Sequence, residues 1–94
     1  MLSKIPVNLE NLNKDDLDRE LLRAAIIAEL DAINLYEQMA ATTNNANLSK
    51  VFLDVAKEEK THFGEFQTLL LRIDKEQRKE LDRGAEEIEE LLGD

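Results

Sequence analysis

Glu59-Lys60-Thr61-His62 sets a carboxylate and the only histidine of the chain three residues apart. On a helix such a pair projects side by side, so both groups can bind one metal ion. Glu29 adds a second carboxylate thirty residues earlier. A carboxylate has two oxygens and can bridge two ions, whereas a neutral imidazole offers one nitrogen and terminates a coordination shell. With no cysteine in the sequence, any metal takes oxygen and imidazole ligands, which suits iron, manganese or zinc.

All three residues fall inside apolar stripes of helical period. Leu22, Ala25, Ile26, Glu29, Ala32, Ile33, Tyr36 and Ala40 form one stripe. Leu48, Phe52, Val55, Glu59, His62, Phe66, Leu69, Leu70 and Ile73 form the other. An ionised acid without a partner in an apolar stripe is costly, and a divalent cation offsets that cost. Singly, each residue has a plainer reading. A lone Glu-x-x-His is weak evidence, a histidine on an apolar stripe is usually a hydrogen-bonded core residue, and Glu29 alone can flank its stripe and reach solvent. Together they read as metal ligands forming half of a di-metal site, and half a site implies a second copy of the chain. Tyr36, two turns after Glu29, reads as core or as a hydrogen-bond partner of a ligand carboxylate. Glu37, Glu58 and Glu65 read as solvated.

The elements that position these groups are helices, and the predicted fold class is all-α. Residues 1–13, with Pro6, are expected to be irregular. Asn13 is the expected cap of a first helix over 14–43, with Asp15 and Asp16 in its first turn. Thr42-Thr43-Asn44-Asn45 reads as a turn, a second helix is expected over 47–73, and Asp74 caps a third over 75–92. Gly84 interrupts that third helix at about 1 kcal/mol relative to Ala. Its apolar residues, Leu81, Ile88, Leu91 and Leu92, are sparse. Two long helices joined by a short turn pack antiparallel. Glu29 and Glu59 each lie about fifteen residues from the turn, hence ~22 Å along the axis and at one height.

The 94 residues make a single domain, and a net charge of −9 argues against nucleic acid and anionic membranes. No apolar run approaches a membrane span and no secretory signal is visible, so the expectation is a soluble cytoplasmic protein.

The stretch Ala28-Glu29-Leu30-Asp31-Ala32-Ile33-Asn34-Leu35-Tyr36-Glu37-Gln38, followed by Glu58-Glu59-Lys60-Thr61-His62, resembles the encapsulated ferritins, half-length ferritin-like proteins housed in encapsulin nanocompartments. The resemblance covers most of residues 20–75, including the interval between the motifs. It implies a ferritin-like four-helix bundle made by a homodimer, with two Fe ions per dimer held by Glu29, Glu59 and His62 from each chain as the catalytic ligands and the Glu59 pair bridging them. It further implies ferroxidase activity for iron storage, a ring-like oligomer, typically a decamer, an encapsulin shell partner and a location inside that compartment.

There are departures. Some relatives carry an acid where Ala28 stands and a tryptophan where Leu35 stands, so an iron access path resting on Asp31 is weakened or rearranged. The acidic run Glu89-Glu90-Leu91-Leu92-Gly93-Asp94 does not resemble a cargo-docking peptide. That leaves a longer cargo chain, a domain fused to a shell protein, or no encapsulation. Two other readings stand beside the ferroxidase: a rubrerythrin-like di-iron peroxidase using the same ligand types, and a non-enzymatic helical interaction module.

Overall fold

The computed structural model describes residues 14–93. The expected irregular N-terminus and the Asn13 cap lie outside them. Three helices follow in order: α1 (Lys14–Thr42), α2 (Ala46–Ile73) and α3 (Lys75–Leu92), with no strand among the described residues.

Capping chemistry sets the helix boundaries. Asn45 is extended, and its Oδ1 accepts hydrogen bonds from the amides of Asn47 and Leu48 at 3.0 and 3.1 Å. It thereby satisfies two of the amides a helix start leaves unpaired. The helix accordingly begins at Ala46, one residue before the apolar periodicity predicts. At the other side of the turn the Thr43 amide donates to the Met39 carbonyl at 3.1 Å, and α1 stops at Thr42.

Asp74 serves two helices at once. Its amide donates to the Leu70 carbonyl at 2.8 Å and closes α2, while its Oδ1 accepts from the Gln77 amide at 3.0 Å and opens α3. Oδ2 accepts from Arg23 Nη2 at 3.1 Å, with the Asp74 side chain only 12% exposed. This contact ties the α2–α3 junction back to α1. Gly93, at φ 80°, ends α3 in the left-handed conformation glycine adopts without strain.

α1 and α2 form an antiparallel hairpin, and cross-helix contacts mark it along its length. Ser49 Oγ donates to the Ala40 carbonyl at 2.9 Å near the turn. The Tyr36 and Phe52 rings stack with centroids 6.3 Å apart further on, and Arg23 meets Asp74 at the open end. Lys60 bridges to Glu37 at 2.9 Å. Glu37 is therefore a cross-helix ion pair and not simply a solvated acid.

The core inside one chain is thin. Among the described residues only Ala40, Ala56 and Leu70 are buried, and no large side chain is fully enclosed. Thirteen large apolar side chains are exposed instead. Eight of them lie on two uncovered stretches. Leu48, Val51, Leu69 and Ile73 fall within about 60° of one another around α2. Leu81, Ile88, Leu91 and Leu92 are exposed on α3, which touches α2 only sparsely. Chains of this size bury only a modest share of their surface, and the apolar area left open here is large for a single chain.

Candidate metal centre

The hairpin brings Glu29, Glu59 and His62 together. Glu29 lies on the α1 face that meets α2, and Glu59 stands level with it on α2. Tyr36 and Phe52, which stack, are likewise equidistant from the turn. His62 follows Glu59 by one helical turn. One ligand atom from each of the three residues lies within 4.8 Å of the others. His62 Nδ1 is 3.5 Å from Glu59 Oε2 and 3.7 Å from Glu29 Oε2.

Those spacings suit a shared cation better than a hydrogen-bond network. Both exceed the usual hydrogen-bond limit of about 3.2 Å. Donor atoms at ~2.1 Å from one ion are separated by ~3.0–3.4 Å when adjacent and ~4.2 Å when opposite. His62 Nδ1, at 3.5 and 3.7 Å from the two carboxylate oxygens, lies close to the adjacent-donor spacing.

The electrostatics point the same way. Glu29 and Glu59 side chains are 16% and 20% exposed. Glu29 Oε2 is inaccessible to solvent and has no hydrogen-bond partner among the described residues. A buried acceptor without a partner costs ~1–3 kcal/mol, and a bound cation removes that cost. His62 is the most open of the three, at 46%. It is the solvent-facing member of the cluster, while the two carboxylates lie deeper.

Other residues singled out in the sequence fall elsewhere. Tyr36 belongs to the aromatic layer with Phe52, nearer the turn. Asp31 lies two residues after Glu29, ~200° around the helix, and is outside the cluster. Glu20 was not anticipated. Its Oε2 is a second buried carboxylate oxygen without a hydrogen-bond partner. Nine residues before Glu29, it lies on the opposite side of α1, and nothing in its spacing distinguished it from the acids around it.

The family model described as Rubrerythrin matches residues 20–91. The chain belongs to the rubrerythrin family. It is 62% identical over 74 residues to the ferritin-like–encapsulin shell fusion protein of Pyrococcus furiosus, an alignment covering 79% of this chain and 21% of that one. It is 41% identical over 63 residues to the encapsulin nanocompartment cargo protein EncC of Myxococcus xanthus, covering 64% and 48% respectively. The chain thus spans about a fifth and about half of these relatives. The crystal structure of the encapsulated ferritin domain from Pyrococcus furiosus matches with a TM-score of 0.86 and 52% identity, covering 100% of this chain and 98% of that one. The resemblance to encapsulated ferritins and the all-α, ferritin-like fold both stand on these matches. A rubrerythrin-family chain typically binds iron, and the donor set here, two carboxylates and one imidazole, fits that metal.

Proposed function

We propose that two copies of this chain pair through the bare face of the hairpin and form a ferroxidase centre. Each contributes Glu29, Glu59 and His62, giving four carboxylates and two imidazoles around two Fe(II) ions. The observation that carries the reading is the buried, unpartnered Oε2 of Glu29 beside Glu59 and His62, on a surface whose apolar neighbours are uncovered. The duplicated set matches the general ferritin-like pattern of two Glu and two Glu-x-x-His, which a two-fold axis generates from one chain.

Charge accounts for turnover. Two Fe(II) ions bring four positive charges against four carboxylates, and the filled centre is neutral. Each Fe(II) gives one electron to dioxygen, so two Fe(II), one O2 and two protons give two Fe(III) and one H2O2. The centre then carries two net positive charges. That surplus favours hydrolysis of Fe(III) and its release towards a mineral, leaving the carboxylates to reload with Fe(II).

The two curated relatives are named as an encapsulin shell fusion and an encapsulin cargo. By extension this chain works within an encapsulin compartment, as cargo or as a domain of the shell chain. The family match also keeps peroxide in view as oxidant.

Stopped-flow oxidation of Fe(II) tests the proposal. Glu59→Ala and His62→Ala should each lose most of the wild-type rate. Wild-type rates in both variants would sink it, and faster oxidation with peroxide than with oxygen would favour the peroxidase reading. A chain that retains no iron at all would be a helical interaction module.

A further inference from the structure

Along the chain, the basic residue nearest the three clustered ligands is Lys60, directly after Glu59 and two residues before His62. It lies ~1.5 Å further along the α2 axis than Glu59 and ~100° around the helix. That sets an ammonium on a flexible stem beside two carboxylates of low exposure. Glu29 Oε2 is buried and has no hydrogen-bond partner among the described residues. A desolvated carboxylate attracts any cation within reach, and a lysine settled there would take the place of a metal.

Lys60 is drawn elsewhere. Its Nζ lies 2.9 Å from Oε2 of Glu37 on α1. Glu37 follows Glu29 by eight residues, so it stands ~12 Å nearer the turn and ~80° around α1. Helical side chains lean towards the N-terminus of their own helix. In an antiparallel hairpin Lys60 therefore leans towards the turn and Glu37 away from it, and the two meet on the flank. The pair is open to solvent, with side chains 58% and 44% exposed. An ion pair so exposed contributes little to stability. Its consequence is where it leaves the ammonium.

We infer that Glu37 is a positioning residue: it holds the Lys60 ammonium off Glu29 and Glu59 and keeps those carboxylates open to Fe(II). The inference rests on the iron centre proposed above. Without Glu37, the strongest negative charge left to Lys60 is the ligand set itself, and Fe(II) must then displace an ammonium before it binds. Glu37 acts through Lys60 alone, so removing both should cost nothing that removing Glu37 costs.

Anaerobic Fe(II) titration of the full chain at ~0.15 M salt tests this. Glu37→Gln should bind Fe(II) about tenfold more weakly, the strength of a charge-assisted hydrogen bond. Lys60→Gln, and Glu37→Gln combined with Lys60→Gln, should stay within about twofold of the wild type. Glu58→Gln controls for net charge, since it removes an exposed carboxylate beside Glu59 and leaves Lys60 in place. At ~10 Å in screened solvent that loss is worth less than about twofold. Circular dichroism should show wild-type helix content and metal-free Tm in all four variants. Wild-type affinity in Glu37→Gln would overturn the inference, as would a double variant as weak as the single, or a Glu58→Gln as weak as Glu37→Gln. A fall in metal-free Tm shared by both single variants of the pair would make it a structural brace and overturn it too. A wild type that binds no Fe(II) would overturn the ferroxidase reading and this inference together, whereas the other failures leave that reading standing.

Discussion

Replacing Glu29 by leucine separates the two demands placed on that position. In the metal-free chain the Glu29 side chain is 16% exposed and its Oε2 is buried without a hydrogen-bond partner. Removing a desolvated, unpaired acceptor relieves ~1–3 kcal/mol. A leucine at the same depth adds ~1 kcal/mol of apolar burial. Allowing for imperfect packing of a branched side chain, the expected gain is about 2 kcal/mol, and at ~4–8 °C per kcal/mol for a domain of this size Tm rises roughly 10 °C. Iron reverses the ranking. A ligand at a hundred times its Kd stabilises the native state by ~2.7 kcal/mol, which the wild type gains and the variant does not. Anaerobic thermal melts by circular dichroism, with and without Fe(II) at one chain concentration, give all four values. Two results would refute the reasoning. A metal-free Glu29→Leu that melts below the wild type would make the carboxylate a structural partner. A variant that keeps an iron-dependent rise would make Glu29 dispensable as a ligand.

Val51 carries no ligand atom but is 60% exposed on the bare face of α2. Val51→Arg should weaken the dimer by about 2 kcal/mol, roughly thirtyfold in dissociation constant, and lower iron stoichiometry with it, as sedimentation and iron titration would report. Asn45→Ala removes the cap that holds the Asn47 and Leu48 amides. It should cost about 1 kcal/mol, seen as a fall of several degrees in Tm with iron stoichiometry unchanged. Asp74→Ala loses both the α3 cap and the Arg23 contact. It should cost about 2 kcal/mol and speed amide exchange in the first turn of α3 while leaving the middle of α1 and α2 protected.

Most of the hairpin was legible in the sequence because one signal, apolar spacing of three and four, reports helix, face and partner together. That signal set Glu29 against Glu59 and placed His62 one turn away, and the structure groups these three residues. The helix ends were less legible, since they depend on side-chain capping that periodicity does not encode. Asn45, read as turn, holds two amides and moves the start of α2. Charged residues were the least legible. Glu37 and Glu20 look alike in the sequence, yet one reaches Lys60 across the hairpin and the other buries an oxygen with no partner. Long side chains choose partners by the three-dimensional offset of two helices, and spacing along one helix carries no record of it.

Iron and assembly must be coupled if the centre is shared. Closing the dimer without metal brings four carboxylates into one pocket. Two like charges ~5 Å apart repel by ~3 kcal/mol at an effective dielectric constant of about 20. Cross-subunit repulsion therefore opposes metal-free pairing by several kcal/mol. Two Fe(II) ions cancel the charge outright, so the dimer should tighten at least tenfold when iron is added, a coupling of ~1.4 kcal/mol or more. Linkage requires the reciprocal effect: iron affinity should rise with chain concentration by the same factor. Sedimentation equilibrium with and without Fe(II) gives the first quantity, and anaerobic Fe(II) titration at several chain concentrations gives the second. A dimer constant indifferent to iron, in a chain that still binds it, would mean that Glu29, Glu59 and His62 complete their site within a single hairpin, and the two-fold centre would have to be abandoned.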